Sequence, residues 1–161
     1  VLFRSVLNPD DALVAEPCHE ASQGQVVQAV NFNAAGQVVI AGHKDAVARG
    51  IESCKKRAAK RAMPLPVSAP FHSSLMQPAA EKLRDRLAGT AIQTPKIDLV
   101  NNVDVAVQRD AVAIRDALVR QAAAPVRWVE IVRAMAKEGV THILECGPGK
   151  VLAGLTKRIE P

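Results

Sequence analysis

The chain is nearly devoid of aromatic side chains, with three phenylalanines, one tryptophan and no tyrosine among 161 residues. Single-stranded nucleic acid is bound by stacking bases on aromatic platforms beside positive charge. Phe3, Phe32, Phe71 and Trp128 all lie away from the one basic segment, so nucleic acid is not expected as a partner. Cysteine is also sparse. Cys18, Cys54 and Cys146 are odd in number and widely spaced, with no CxxC pair and no cysteine–histidine cluster at zinc spacing, which argues for a reducing, cytoplasmic setting. No apolar run approaches the roughly 18 residues of a membrane span. His19–Glu20 has no second histidine to complete HExxH, and "ECGPGKVLAGL" fits neither a phosphate-cradling P-loop nor GxGxxG, because Leu152 stands where the third glycine belongs. That motif is read instead as a tight strand-to-helix turn. No GxSxG nucleophile elbow is present. The start "VLFRS" lacks an initiator methionine and the features of a signal peptide. The chain is therefore expected to begin inside a longer protein. Residues 1–5, which can be back-translated into the end of a common sequencing adapter, are expected to be non-native.

What is present is ordinary for a globular domain: 48% hydrophobic and 23% charged residues. The net charge of +5 is concentrated, with seven basic residues (Lys44, Arg49, Lys55, Lys56, Arg57, Lys60, Arg61) against Asp45 and Glu52 in one segment. A charge run is usually a solvated face, and the functional alternative is a docking surface for an acidic protein.

Asn8 and Pro9 signal a helix that runs to Gly24, shortened or kinked by Pro17. "VVQAVNFN" and "QVVIAG" read as a hairpin. A helix from about Lys44 to Ala62 presents Val47, Ile51, Cys54, Ala58 and Ala62 on one stripe. "AMPLPV" must be extended. This order predicts a ferredoxin-like subdomain over residues 6–66 whose first strand is missing or altered. Over 67–161, "KIDLVNN" and "THILECG" read as strands. "DAVAIRDALVRQ", "WVEIVRAMAKEG" and a segment from Val151 read as helices, which together make part of an α/β layered domain.

His72, in "VSAPFHSSLMQPAAEKL", is the candidate general base. Ser74 and Gln77 have capping-box spacing, which would start a helix at Leu75 and place His72 beside its positive end, where the neutral imidazole is favoured. A capped histidine with no role is the competing interpretation. Ser68, Ser73 and Ser74 lack the glycine context of an activated nucleophile.

Taken together, "VNFNAAGQVVIAG", "PLPVSAPFHSSLM", "VNNVD", "ALVRQ…PVRW" and "ECGPGKVLAGLTKRI" resemble, in order and spacing, the C-terminal half of bacterial malonyl-CoA:acyl carrier protein transacylases. The resemblance covers residue 8 to the end. It implies the C-terminal part of an α/β-hydrolase-like acyltransferase core carrying an inserted ferredoxin-like subdomain. It also implies transfer of malonyl from CoA to the phosphopantetheine thiol of acyl carrier protein through a serine acyl-enzyme, in fatty-acid synthesis, by a cytoplasmic monomer that needs no cofactor. His72 would be the base, the backbone carbonyl of Gln121 would orient it, and Asn33 and Phe71 would line the substrate site. Phe71 falls where malonyl-selective domains carry phenylalanine. Lys56 and Lys60 would help dock the acidic carrier protein. The serine elbow, part of the oxyanion hole and the arginine that holds the malonyl carboxylate would all lie upstream, so this chain alone is expected to be inactive. The competing class is a non-catalytic α+β module that uses the basic helix to hold an acidic partner.

Overall fold

A computed structural model describes residues 2–7, 12–57 and 59–161. The first half begins with strand β1 (Leu2–Leu7) and helix α1 (Ala12–Ser22), then the hairpin β2 (Val27–Ala34) and β3 (Gln37–Gly42). Helix α2 (Lys44–Lys56) and strand β4 (Arg61–Pro64) complete it. The four strands form one antiparallel sheet in the order β2-β3-β1-β4.

The first strand, expected to be missing or altered, is present. Four of the five residues expected to be foreign lie within β1, which fills the slot between β3 and β4. Its alternation suits that place: Leu2 and Val6 join the cluster under the helices, while Phe3 joins the cluster on the opposite face. Asn8 and Pro9 lie outside the described residues.

Both helices pack on one face of the sheet. Val14 and Cys18 from α1 and Val47 and Cys54 from α2 meet Val6, Val38 and Ile40, all of them 3% exposed or less. On the other face Phe3, Val30, Val39 and Ala41 pack with Leu65 and Val67. Val30 alternates to that second face from Val27 and Ala29, and the register shift in β2 between Ala29 and Asn31 returns Phe32 to the first.

The basic helix ends sooner than its pattern predicts. α2 stops at Lys56, so Lys60 and Arg61 are not on it and Ala62 belongs to β4, while Ala58 lies outside the described residues. The chain leaves the helix so that Ala59 N can bond the Cys54 carbonyl and Lys60 N the Leu7 carbonyl, 3.0 Å each, which starts the β1–β4 pairing.

The second half holds α3 (Gln77–Ala88), the short pair β5 (Val100–Asn101) and β6 (Ala106–Val107), and the helices α4 (Ala111–Gln121), α5 (Trp128–Lys137) and α6 (Val151–Ile159). α4 starts where Asp110 caps it, its carboxylate accepting from Val112 N and Ala113 N at 2.9 Å. Residues 141–147, read as a buried strand, form none: the segment pairs with no strand among the described residues, and Leu144 is 85% exposed. A strand exists only by pairing, and no neighbour is placed beside this one.

The capping box at Ser74 and Gln77 also fails to form. A short 3-10 turn, Ser74–Met76, precedes α3, and neither start has a side-chain cap. Ser74 N donates instead to Gln28 Oε1 at 2.7 Å, which ties this turn to β2. His72 therefore sits five residues ahead of α3 rather than against its first turn.

The two halves join along β2, the edge strand. Phe32 N donates to the Val126 carbonyl (2.9 Å) and Val126 N to the Val30 carbonyl (2.8 Å), so the loop before α5 adds a short parallel bridge.

Candidate functional site

His72 occupies a left-handed backbone conformation, φ 63°, which non-glycine residues adopt at a cost. The turn around it is well anchored. Ser73, fully buried, donates from Oγ to the Pro70 carbonyl at 2.6 Å, and Ser73 N donates to the same oxygen at 3.2 Å. With Gln28 holding Ser74, the imidazole is fixed from its C-terminal side.

From the other side, His72 Nδ1 lies 3.1 Å from the backbone carbonyl oxygen of Gln121. A carbonyl only accepts, so this contact places the proton on Nδ1 and leaves the Nε2 lone pair free. Gln121 is the last residue of α4. The Val119 and Arg120 carbonyls are taken by backbone N–H groups of the terminal turn, whereas that of Gln121 is an end-of-helix acceptor turned to the histidine.

β2 thus serves both members of the pair, Gln28 bonding the turn that carries His72 and Val30 to Phe32 bonding the loop that follows Gln121. Asn33 lies farther along the same strand and is half-buried, and Phe71, next to His72, is 42% exposed. Of the expected site residues, then, the structure joins His72 and Gln121 by a direct contact, with Phe71 the residue before His72. It joins Asn33 to them through β2, with no direct bond between Asn33 and His72. Sequence reasoning missed Gln28 and Val126. No local motif marks either, because both act across long sequence separations.

The basic segment is less available than its composition implies. Arg57 bonds Glu16 (2.7 Å) and Glu20 (2.5 Å), Lys55 bonds Glu52 (2.9 Å), and Arg49 reaches the carbonyls of Ala21 and Ser22 and the Gln25 amide oxygen. Lys44, Lys56, Lys60 and Arg61 are exposed and make no ion pair among the described residues. Lys56 and Lys60 therefore remain available to a partner, one at the end of α2 and the other in the loop beyond it.

The remaining candidates resolve into structural roles. His43 Nδ1 accepts from Val26 N at 2.9 Å. The Glu145 carboxylate accepts from Ala153 N at 2.9 Å, so the α6 N-terminus that follows the glycine motif is already served by the chain's own anion. Among the described residues no group of histidine, cysteine, aspartate and glutamate could hold a metal, and no helix is long and apolar enough to cross a membrane.

Beyond the His72–Gln121 pair, a cavity of about 460 Å³ is lined by Gln121, Trp128, Asn102, Leu99, Ile114 and Leu152, among others. Large apolar side chains of this half are exposed: Ile97 at 82%, Leu99 at 56%, Leu144 at 85% and Val151 at 70%, and Leu99 also lines the cavity.

The acyl transferase domain family matches residues 5–158. The chain belongs to that family. Malonyl CoA-acyl carrier protein transacylase of Escherichia coli is 56% identical over 155 residues, 96% of this chain but 50% of that protein. The Bacillus subtilis protein of the same name is 43% identical over 137 residues, covering 85% of this chain and 43% of its own length. Among solved structures, the acyl-carrier-protein S-malonyltransferase of Burkholderia pseudomallei superimposes with a TM-score of 0.95 at 62% identity, covering 99% of this chain and 52% of the other. A malonyl-transacylase in complex with a type II PKS acyl-carrier protein superimposes at 0.97 with 50% identity, covering 99% and 52%. This acyltransferase-family chain spans about half the length of the curated relatives it matches.

Proposed function

We propose that the chain is the base-bearing half of a cytoplasmic, monomeric malonyl-CoA:acyl carrier protein transacylase of fatty-acid synthesis. The observation that carries this reading is the 3.1 Å contact between His72 Nδ1 and the Gln121 carbonyl, because it leaves Nε2 as a fixed proton acceptor. The βαββαβ sheet unit would be a ferredoxin-like subdomain, ending near residue 66. The remainder would be the C-terminal part of an α/β-hydrolase-like core. The exposure of Leu99, Leu144 and Val151, apolar side chains in a half that packs only in part, supports this, since such side chains are ordinarily covered.

A serine hydroxyl from the other half of the relatives' length would attack the malonyl thioester carbonyl as His72 Nε2 takes its proton. The tetrahedral intermediate expels CoA, whose thiolate receives that proton, and the serine is left as a malonyl ester. The phosphopantetheine thiol of the carrier then gives its proton to Nε2 and attacks the ester, and the proton returns to the serine oxygen. No cofactor enters this sequence, for CoA is a substrate and phosphopantetheine travels on the partner. Asn33 and Phe71 would line the acyl site, and Lys56 and Lys60 would meet the acidic carrier.

A non-catalytic binding module would have no use for a strained histidine held by a helix-end carbonyl. The experiment is to join this chain to the complementary half of the Escherichia coli relative. The joined protein should transfer labelled malonyl from CoA to acyl carrier protein, while the chain alone should show no malonyl adduct by intact mass. Malonylation of any serine in the isolated chain would refute the reading.

A further inference from the structure

The carbonyl that orients His72 belongs to the final residue of a helix, a place where chains commonly fray. Something must hold that turn still, and the side chain next to it is Arg120. Its guanidinium grips the Asp104 carboxylate with both prongs, Nη1 to Oδ1 and Nη2 to Oδ2 at 2.8 Å each, while Nε bonds Asp116 Oδ2 at 2.6 Å. Exposed ion pairs contribute little on their own, but a bidentate guanidinium–carboxylate pair within a network is the exception.

Asp104 is itself immobilised. Asn101 Oδ1 accepts from Val103 N (3.1 Å) and Asp104 N (2.8 Å), and Asn101 Nδ2 donates to the Ala106 carbonyl at 2.9 Å. Val105, a β-branched residue, is held at φ 54° in the same turn, with its N bonded to the Asn101 carbonyl at 3.1 Å. Arg127 Nη1 ties the Val103 carbonyl to the start of α5 at 2.9 Å. The turn between β5 and β6 is therefore a rigid bracket spanning the end of α4 and the beginning of α5. The Arg120 guanidinium beside Asp104 also holds that carboxyl below the usual carboxylate range, so the bracket is charged at neutral pH.

We propose that Asp104 is a positioning residue for His72: through Arg120 it clamps the last turn of α4 and so fixes the Gln121 carbonyl that selects the Nδ1–H tautomer. The inference rests on the reading of His72 as the base, but it can be tested without catalysis. Imidazole ¹⁵N shifts of the ¹⁵N-labelled chain, recorded where the rings are neutral, report each tautomer. His43 is an internal control of opposite sign, because its Nδ1 accepts a hydrogen bond and its proton must sit on Nε2.

His72 should be an Nδ1–H ring in the unaltered chain. In Asp104→Ala or Arg120→Ala it should lose about half or more of that form to Nε2–H, with His43 unchanged. Asp104→Asn keeps the shape and removes the charge, so it should shift His72 in the same direction and serves if the alanine variants do not fold. In the joined protein, Asp104→Asn should lower kcat about ten- to a hundredfold with KM unchanged. A His72 tautomer that stays Nδ1–H in folded Asp104→Asn overturns the proposal, as does a rise in KM at constant kcat. If the unaltered joined protein is inactive, the functional reading fails and the tautomer result still decides this one.

Discussion

Gly42 ends β3 opposite both Leu2 and Val27, and its replacement by alanine tests how the sheet is closed. An added Cβ would meet the Val26 carbonyl oxygen at 2.0 Å, the Val26 carbonyl carbon at 2.7 Å and Val27 Cα at 2.8 Å, with φ at +157°. All three are backbone atoms, so no side chain can swing away. Relief requires Val26 to move off His43. That breaks the bonds from His43 N to the Val26 carbonyl (2.8 Å) and from Val26 N to His43 Nδ1 (2.9 Å), each worth about 0.5–1.5 kcal/mol net. With the backbone strain of about 1–3 kcal/mol for a side chain at such an angle, Gly42→Ala should cost about 2–6 kcal/mol. At roughly 2–4 °C per kcal/mol for a chain of this size, the melting temperature should fall by about 4–24 °C. Gly24→Ala is the control. Gly24 has φ +82° and open space around the added Cβ, so it should cost only the left-handed penalty of about 1–2 kcal/mol. Thermal melts followed by circular dichroism compare the two. If Gly42→Ala melts no lower than Gly24→Ala, the close approach of β3 to Val26 is wrong.

Burial pushes the Cys18 thiol up to about 12, with the neighbouring Cys54 adding to it, and burial also raises Cys54 against the opposing effect of Arg57. The folded state therefore favours neutral thiols. Their contribution to stability is complete below the unfolded value of about 8.5 and is withdrawn as pH climbs past it; a thiol reagent at pH 8 should label exposed Cys146 rapidly and the other two only on unfolding. Gln121→Ala in the joined protein should leave most of the activity, because the contact with His72 uses a backbone carbonyl; a loss matching that of a His72 variant would contradict this. Reversing Lys56 and Lys60 to Glu should lower kcat/KM for acyl carrier protein at low salt, with malonyl loading from CoA little changed, and the difference should fade as salt rises. An equal fall in CoA loading would assign the charge to the nucleotide.

Local patterns carried much of this architecture. The β2–β3 hairpin, the apolar stripe with Val47 and Cys54, and the helices α4 to α6 all follow from periodicity. The misreadings come from long-range competition. Ser74 and Gln77 have the spacing of a capping box, but Gln28, 46 residues away, claims the Ser74 N–H. "THILEC" has the composition of a central strand and remains unpaired because a strand's partners are not encoded in it. α2 ends sooner than its pattern because the basic, apolar-striped sequence continues past Lys56, whereas the bond from Lys60 N to the Leu7 carbonyl leads the chain into the β1–β4 pairing. β1 is not legible as a strand in "VLFRS" alone, since its place between β3 and β4 is set by pairing across the sheet. The His72–Gln121 pair became legible only through the family resemblance, since nothing in "VRQ" alone marks a backbone carbonyl as functional. The Asp104–Arg120 clamp left a fainter trace in the "VNNVD" turn and in the i, i+4 spacing of Asp116 and Arg120.

The most direct measurement is the transacylation rate of the joined protein with and without His72→Ala, using labelled malonyl-CoA and acyl carrier protein and confirming the fold of both by circular dichroism. If His72 Nε2 is the base, the substitution should lower the rate by at least about 10²–10⁴-fold, because it removes the group that takes the serine's proton. A folded His72→Ala protein that transfers malonyl within about tenfold of the parent, a loss below the range of general-base catalysis, would contradict the account.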